Sequence, residues 1–287
     1  MKTLLGNIMG YLYGNGVKRE IEYQTTYKYL NKYRNQKIDS TGWKNESVKT
    51  DKTIWTCWLQ GIENAPALVK KCCESIVLNK PKEFDLIVIT HDNLSDYIQL
   101  PDFILYKYNS GIISDTHLSD IIRILLLYEY GGCWIDATVY CSAKIPEYML
   151  EGNMFVFKWS LLDQSTLPIS SWWIQALKGE KIIADVRNML LSYWKRESCL
   201  RDYFLLHIIF SKIINEDSFN QATFKNIPYV CNSVPHILSR KMEFEFREEE
   251  WNLIKTMSVV HKLSYKRKYL QGDIYNFYMA LLDNALR

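Results

Sequence analysis

The chain has 287 residues, of which 48% are apolar and 23% charged, with a formal net charge of +3. That length suits one large α/β domain, or one domain with a helical appendage. So small a net charge argues against nucleic acid as the main partner, and no stretch reaches the roughly 18 apolar residues of a membrane-spanning helix.

Residues 1–45 differ from the rest. Met1–Gly16 has no long apolar run and no small-residue cleavage site, so no secretory leader is expected. Across residues 1–40 seven basic residues (Lys2, Lys18, Arg19, Lys28, Lys32, Arg34, Lys37) outnumber Glu20, Glu22 and Asp39, with tyrosines interleaved. One or two short helices are expected. They would rest on an anionic membrane face or pack on the remainder, residues 46–287, which read as one catalytic-type domain.

Thr53–Leu59 (TIWTCWL) is a short β-rich run closed by Gln60-Gly61, and Ala65–Leu78 has helical spacing with Pro66 at its start. Phe84–Thr90 (FDLIVIT) is a second buried strand, which completes the strand–helix–strand order of a nucleotide-binding α/β unit. Short helices are expected at Asn93–Gln99 and Pro101–Tyr108. Asp115–Tyr130 is the clearest helix, with apolar periodicity and Gly131-Gly132 as its stop. Cys133–Cys141 (CWIDATVYC) follows as one strand and Met154–Trp159 as another. Ile182–Tyr193 and Asp202–Ile214 are helical, Glu243–Glu250 is an acidic, solvated stretch, and Val259–Tyr265 is a late strand or loop.

The composition is aromatic, at 14% with 20 Tyr and 9 Trp. Such side chains serve sugar faces, nucleobases or a membrane interface, or simply fill a tyrosine-rich core. The seven cysteines are an odd number and fit no zinc spacing. They read as reduced core residues of a cytoplasmic protein.

The chemistry concentrates in Ser119–Thr138. Asp120 and Arg123 share one helix face among apolar neighbours, as a buried structural pair or a pair that grips hydroxyls. Asp136 ends the apolar run Cys133-Trp134-Ile135, where ligand sites of α/β sheets gather. A carboxylate there suits a divalent metal that holds a diphosphate. Trp55, Trp134, Trp172 and Trp173 read as core or interface, His117 as a helix-surface residue or, three before Asp120, one that faces the site, and Asp202 and His207 as acceptor-binding or capping residues.

The string SDIIRILLLYEYGGCWIDATVY resembles the SDxxR…LYxxGGxWxDxT segment of capsular polysaccharide synthesis proteins, which are similar to glycosyltransferase family 32 and, more remotely, to the clostridial glucosylating toxins. IWTCWLQGIENAPALVKKCCES and HKLSYK resemble the same group's opening and closing segments, so the resemblance runs in order from Ile54 to Lys266. It implies a GT-A fold with a mixed, mainly parallel sheet flanked by helices, a UDP-sugar donor, Mn²⁺ or Mg²⁺, and retention of anomeric configuration. It implies an oligosaccharide or lipid-linked saccharide as acceptor. By the same resemblance Asp120 and Arg123 hold the donor sugar, and Trp58, with Gln60 and Gly61, covers the donor base. Asp136, Thr138 and His261 hold the metal, and Lys262 faces a phosphate. Thr138 stands where a second carboxylate would, which keeps open a non-catalytic sugar-nucleotide-binding or scaffold protein of a polysaccharide-assembly complex. A toxin-like enzyme acting on a host protein is a further alternative.

Overall fold

A computed structural model of the chain describes residues 15–34, 36–38, 45–160, 167–267, 269 and 274–286. The reading of Met1–Gly16 as leaderless therefore falls almost wholly outside the described residues.

The chain opens with helix α1 (Asn15–Tyr29), which continues into a 3₁₀ turn at Leu30–Tyr33. Strand β1 (Thr53–Cys57), helix α2 (Ala67–Asn79) and strand β2 (Asp85–Ile89) form the first α/β unit, and β1 and β2 pair in parallel. Helices α3 (Leu94–Tyr97) and α4 (Asp102–Asn109) lead to α5 (Asp115–Tyr130), which feeds β3 (Gly132–Ile135) on the other side of β1. Strand β4 (Val139–Cys141) follows, then β5 (Met154–Lys158) and β6 (Ile169–Ala176). The central sheet has the order β2-β1-β3-β6-β5. Four of its strands run one way, and β6 runs against both neighbours. Helices α6 (Lys181–Arg196), α7 (Leu205–Glu216) and α8 (Ser218–Asn226) follow, and α5, α6 and α7 pack side by side as a layer against the sheet. The chain ends with α9 (Ile237–Lys241), α10 (Glu248–Met257), β7 (Val260–Lys262) and α11 (Phe277–Leu282). This is the α/β architecture expected, with a mixed, mainly parallel sheet flanked by helices.

Two features depart from the sequence expectations. Cys133–Cys141 is not one strand. Asp136 donates its N–H to the Trp172 carbonyl and accepts the Val139 N–H on its own carbonyl, both at 2.9 Å. That tight turn carries the chain out of the sheet, and β4 pairs instead with β7 in a separate two-stranded ribbon. Strand β6 had no sequence expectation at all. Seven of its eight residues are buried, so it lacks the alternation that marks a one-sided strand. The stretch Glu243–Glu250 is mostly exposed, as read, and its last three residues form the first turn of α10, where carboxylates favour the positive end of the helix dipole.

The turn between α5 and β3 requires glycine. Gly131 (φ +69°) closes the helix and Gly132 (φ +92°) opens the strand, both in the left-handed region. A side chain on Gly132 would also collide with the Thr53 carbonyl of β1. The one-residue connection fixes where β3 begins and so where Asp136 ends it.

Helix α1 packs on α7. Tyr23 is buried and shares a hydrogen bond of 2.6 Å with Ser211. Arg19, Lys32 and Arg34 pair with Asp202, Glu197 and Glu216. Tyr23, Leu30 and Tyr33 belong to the main core under the sheet. A second apolar cluster joins α2 to the C-terminal elements through Leu68, Tyr140, Trp251, Leu263 and Phe277. All seven cysteines are free thiols, and Cys72, Cys73, Cys133 and Cys141 are buried.

Candidate active site

Strands β1 and β3 are parallel neighbours, so their C-terminal ends lie at the same edge of the sheet. Trp58 follows β1 there, and Asp136 follows β3. Helix α5 enters β3 through the glycine turn at the opposite edge. Its early residues therefore return to the edge that holds Asp136, and Asp120 and Arg123 are delivered there.

These residues form a continuous polar chain. The Arg123 guanidinium donates to Asp120 Oδ1 at 2.9 Å and to Asp136 Oδ1 at 3.0 Å. Its plane lies over the Trp134 ring, with 4.8 Å from Cζ to the ring centroid. The Trp134 indole N–H donates to Asp136 Oδ1 at 2.8 Å. Lys262 Nζ donates to Asp136 Oδ2 at 2.8 Å and to Thr138 Oγ1 at 2.5 Å. The Arg123 side chain is only 4% exposed, whereas that of Asp136 is 25% exposed and that of Lys262 19%. The guanidinium is thus the buried base of the cluster, and the carboxylate and ammonium face solvent.

The electrostatics separate the two carboxyls. Burial raises the pKa of Asp120, and the Arg123 charge offsets that only in part. Burial acts the same way on Asp136, but Lys262 and Arg123, with hydrogen bonds from Lys262 and Trp134, override it and hold the carboxyl at about 2. Asp136 is therefore an anion at any physiological pH.

Lys262 reaches this position through the ribbon. In β4·β7 it stands opposite Val139, and the Leu263 N–H donates to the Thr138 carbonyl at 2.9 Å. Neighbouring strand residues point to opposite faces, so His261 is turned away. This corrects the expectation that His261 stands beside the metal or diphosphate. Its ring is fully buried between Trp251 and Tyr140 and meets Ser142 Oγ at 3.0 Å. Burial drives its pKa down to about 3, as expected of an imidazole kept neutral in a core.

The base-side loop is also formed. Trp58 is half-buried, with Tyr265 edge-on to it at 5.0 Å between ring centroids. Gln60 is exposed and donates to Asp115 Oδ2 at 3.1 Å, which ties this loop to the start of α5. Gly61 is buried, with φ +84°. Three contributors escaped sequence reasoning. Trp134 read as core only, yet it stands two residues before Asp136, the same-face spacing of a strand. Asp115 and Tyr265 carried no sequence signal, since only the fold sets them beside Gln60 and Trp58.

His117 is not the surface residue expected. It is buried, bonded to Ser114 Oγ at 2.8 Å, with its ring against Tyr203. Asp202 is structural: it accepts from Arg19 and from the Phe204 N–H at 2.8 Å. His207 is held neutral, its pKa lowered to about 4 by burial and then by the Arg123 charge.

The match to known proteins falls on this same framework. The model of the capsular polysaccharide synthesis protein family matches residues 14–281. The chain belongs to that family. Its curated relatives include the O-glycosyltransferase PaGT of Phomopsis amygdali, 23% identical over 168 residues, 52% of this chain and 41% of the relative. The glycosyltransferase afumC of Aspergillus fumigatus is 32% identical over 93 residues, 30% of this chain and 24% of the relative. The chain thus spans less than half the length of those relatives. A solved structure of the PaToxG glycosyltransferase is similar with a TM-score of 0.41 and 12% identity, covering 72% of this chain and 83% of that one.

The family resemblance implies a divalent cation, and the residues present can be tested against one. Mg²⁺ and Mn²⁺ favour oxygen ligands, chiefly carboxylates, water and phosphate. Thr138 shares Lys262 with one carboxylate, that of Asp136, and Asp120 lies on the far side of Arg123 with Oδ1 accepting from it. Both Asp136 oxygens already accept from cationic or indole donors, and the Thr138 hydroxyl accepts from the same ammonium. Among the described residues no group of three or more His, Cys, Asp or Glu side chains is placed to hold a metal. This donor set does not fit a resident divalent cation.

Proposed function

We propose that this chain is a retaining glycosyltransferase that moves a sugar from a UDP-sugar to a hydroxyl of a growing, lipid-linked surface saccharide. The observation that carries this reading is the chain Asp120–Arg123–Asp136–Lys262, set at the strand ends beside the Trp58–Tyr265 pair. The edge-on Trp58–Tyr265 pair offers a ring face to a nucleobase, which stacks on such rings with about 1–3 kcal/mol. Asp120 supplies acceptors to sugar hydroxyls, its carboxylate held in place by the buried Arg123 guanidinium. Lys262, part-exposed beside Asp136 and Thr138, faces the diphosphate.

In this mechanism the acceptor hydroxyl attacks the anomeric carbon from the face the diphosphate leaves. The C1–O bond to the diphosphate breaks and its electron pair departs with the phosphate oxygen. The new C1–O bond forms to the acceptor, whose proton passes to an oxygen of the departing diphosphate. A lipid-linked acceptor would bring the chain to the inner face of the membrane, where Lys28 and Lys37 of the basic segment stay exposed.

The test is a donor screen that reads released nucleotide and transferred sugar. A UDP-sugar should be turned over and GDP- or CMP-sugars poorly. Equal turnover of a GDP-sugar would refute the UDP assignment, and no turnover of any donor would return the chain to the class of binding or scaffold proteins.

A further inference from the structure

We propose that Lys262 takes the place of a divalent cation in this protein, its ammonium binding the donor diphosphate and stabilising it as it leaves. The inference rests on the nucleotide-sugar reading above and states how that site handles the charge of its leaving group.

Four observations carry it. The first is the donor set. Thr138 supplies a hydroxyl where a second carboxylate would complete a metal site, and that hydroxyl is engaged by Lys262 at 2.5 Å. The second is charge. Asp120 and Asp136 are balanced by Arg123 and Lys262 within one hydrogen-bonded chain. The cluster has no excess anionic charge to draw a divalent ion, and an incoming diphosphate meets the part-exposed Lys262 ammonium already in place above the buried Arg123. The third is valence. An ammonium has three donors. Asp136 and Thr138 take two, which leaves a third N–H for a phosphate oxygen, and the side chain remains 19% exposed. The fourth is rigidity. Lys262 sits at a paired position of β7, opposite Val139, and the next residue is bonded back to Thr138. The ammonium is thus held before the donor arrives, as electrostatic stabilisation of a leaving group requires.

The chemistry balances without a co-reactant. As the C1–O bond breaks, the bonding pair passes to the diphosphate oxygen. Lys262 meets that growing charge with a hydrogen bond and keeps its proton. Asp136 and Thr138 are positioning residues in this step, and they touch the substrate only through the lysine.

The experiment is calorimetric titration of the full chain with UDP, and in parallel GDP, in EDTA and in excess Mn²⁺. The wild type should bind UDP in EDTA within about threefold of its affinity in Mn²⁺. Lys262→Ala should weaken UDP binding in EDTA by roughly 10- to 100-fold, the loss of one charge-assisted contact, while uridine binds unchanged. Lys262→Arg should restore most of the difference, and Lys262→Gln replaces the alanine variant if that fails to fold. If EDTA abolishes wild-type binding and Mn²⁺ restores it, the inference is overturned and the glycosyltransferase reading stands. Unchanged UDP affinity in Lys262→Ala also overturns it. If neither UDP nor GDP binds under any condition, the nucleotide-sugar reading and this inference fall together.

Discussion

Arg123 is the residue on which the site closes. Its guanidinium separates two carboxylates and covers the Trp134 ring, so it cannot be removed without leaving buried charge unpaired. Breaking such a pair costs about 3–5 kcal/mol. Arg123→Ala should therefore lower the melting temperature sharply, whereas Asp120→Ala should fold and still bind UDP but lose transfer. Thermal melts and UDP titration of the two variants separate these outcomes, and equal melting temperatures would show that Arg123 is not structural. For Asp136→Asn the expected loss is in rate. Without the anion both cations lose their anchor, and a deficit of about 4 kcal/mol in the transition state slows transfer about a thousandfold. Single-turnover kinetics measure it, and full activity in this variant would place the chemistry elsewhere.

His261 has a pH signature of its own. Its pKa is depressed to about 3 in the fold against about 6.5 in an unfolded chain. The unfolded state thus binds the extra proton first as pH falls. Stability is complete above the unfolded value and declines below it until the folded value is reached. His261→Phe should flatten the dependence of unfolding free energy between pH 6 and 4 by about 1.4 kcal/mol per pH unit. Urea melts at several pH values, compared with the wild type, read the difference. An unchanged slope would mean that the imidazole is not buried neutral.

At the scale of elements, the decisive unit is helix, glycine turn and strand: α5, Gly131-Gly132 and β3. Helix and turn were legible because amphipathic period and glycine punctuation are local properties, and the helix bounds agree with those expected, Asp115–Tyr130. Gly132→Ala should cost more than about 2 kcal/mol, from the strained backbone and the contact with the Thr53 carbonyl. Chemical denaturation tests it, and a loss under half that would show that β1 and β3 can shift apart. The ribbon β4·β7 was only half legible. Its two strands are three residues each, too short for periodicity to register. Their pairing joins segments more than a hundred residues apart, so no local pattern encodes it. The face on which Lys262 and His261 point follows from that register, which is why the histidine was expected in the site and lies in the core.

At the scale of the molecule, the N-terminal segment is part of the fold where it is described. Three of its basic residues pair with acids of the main body, and Tyr23 is buried against α7. Tyr23→Ala should destabilise the whole chain by about 3 kcal/mol, in the range of large-to-small core changes, in a single cooperative transition. A separate early melting step in calorimetry would instead make α1 an independent appendage.

The sequence by itself determined the helices from α2 to α7, strands β1, β2 and β5, and the motif residues, because helix period, glycine stops and the spacing of Asp120, Arg123 and Asp136 are all written within a few turns of chain. It also set the hydroxyl of Thr138 two residues after Asp136, at the position where the family resemblance implied a second carboxylate. The tertiary structure alone decided what surrounds these groups. It buried β6 on both faces, turned the chain out of the sheet at Asp136, and brought Lys262 to within 2.8 Å of that carboxylate from 126 positions away. The physical reason is range. Propensity and amphipathicity act between near neighbours, whereas the charge balance of a site is set by side chains that meet only when distant strands pair.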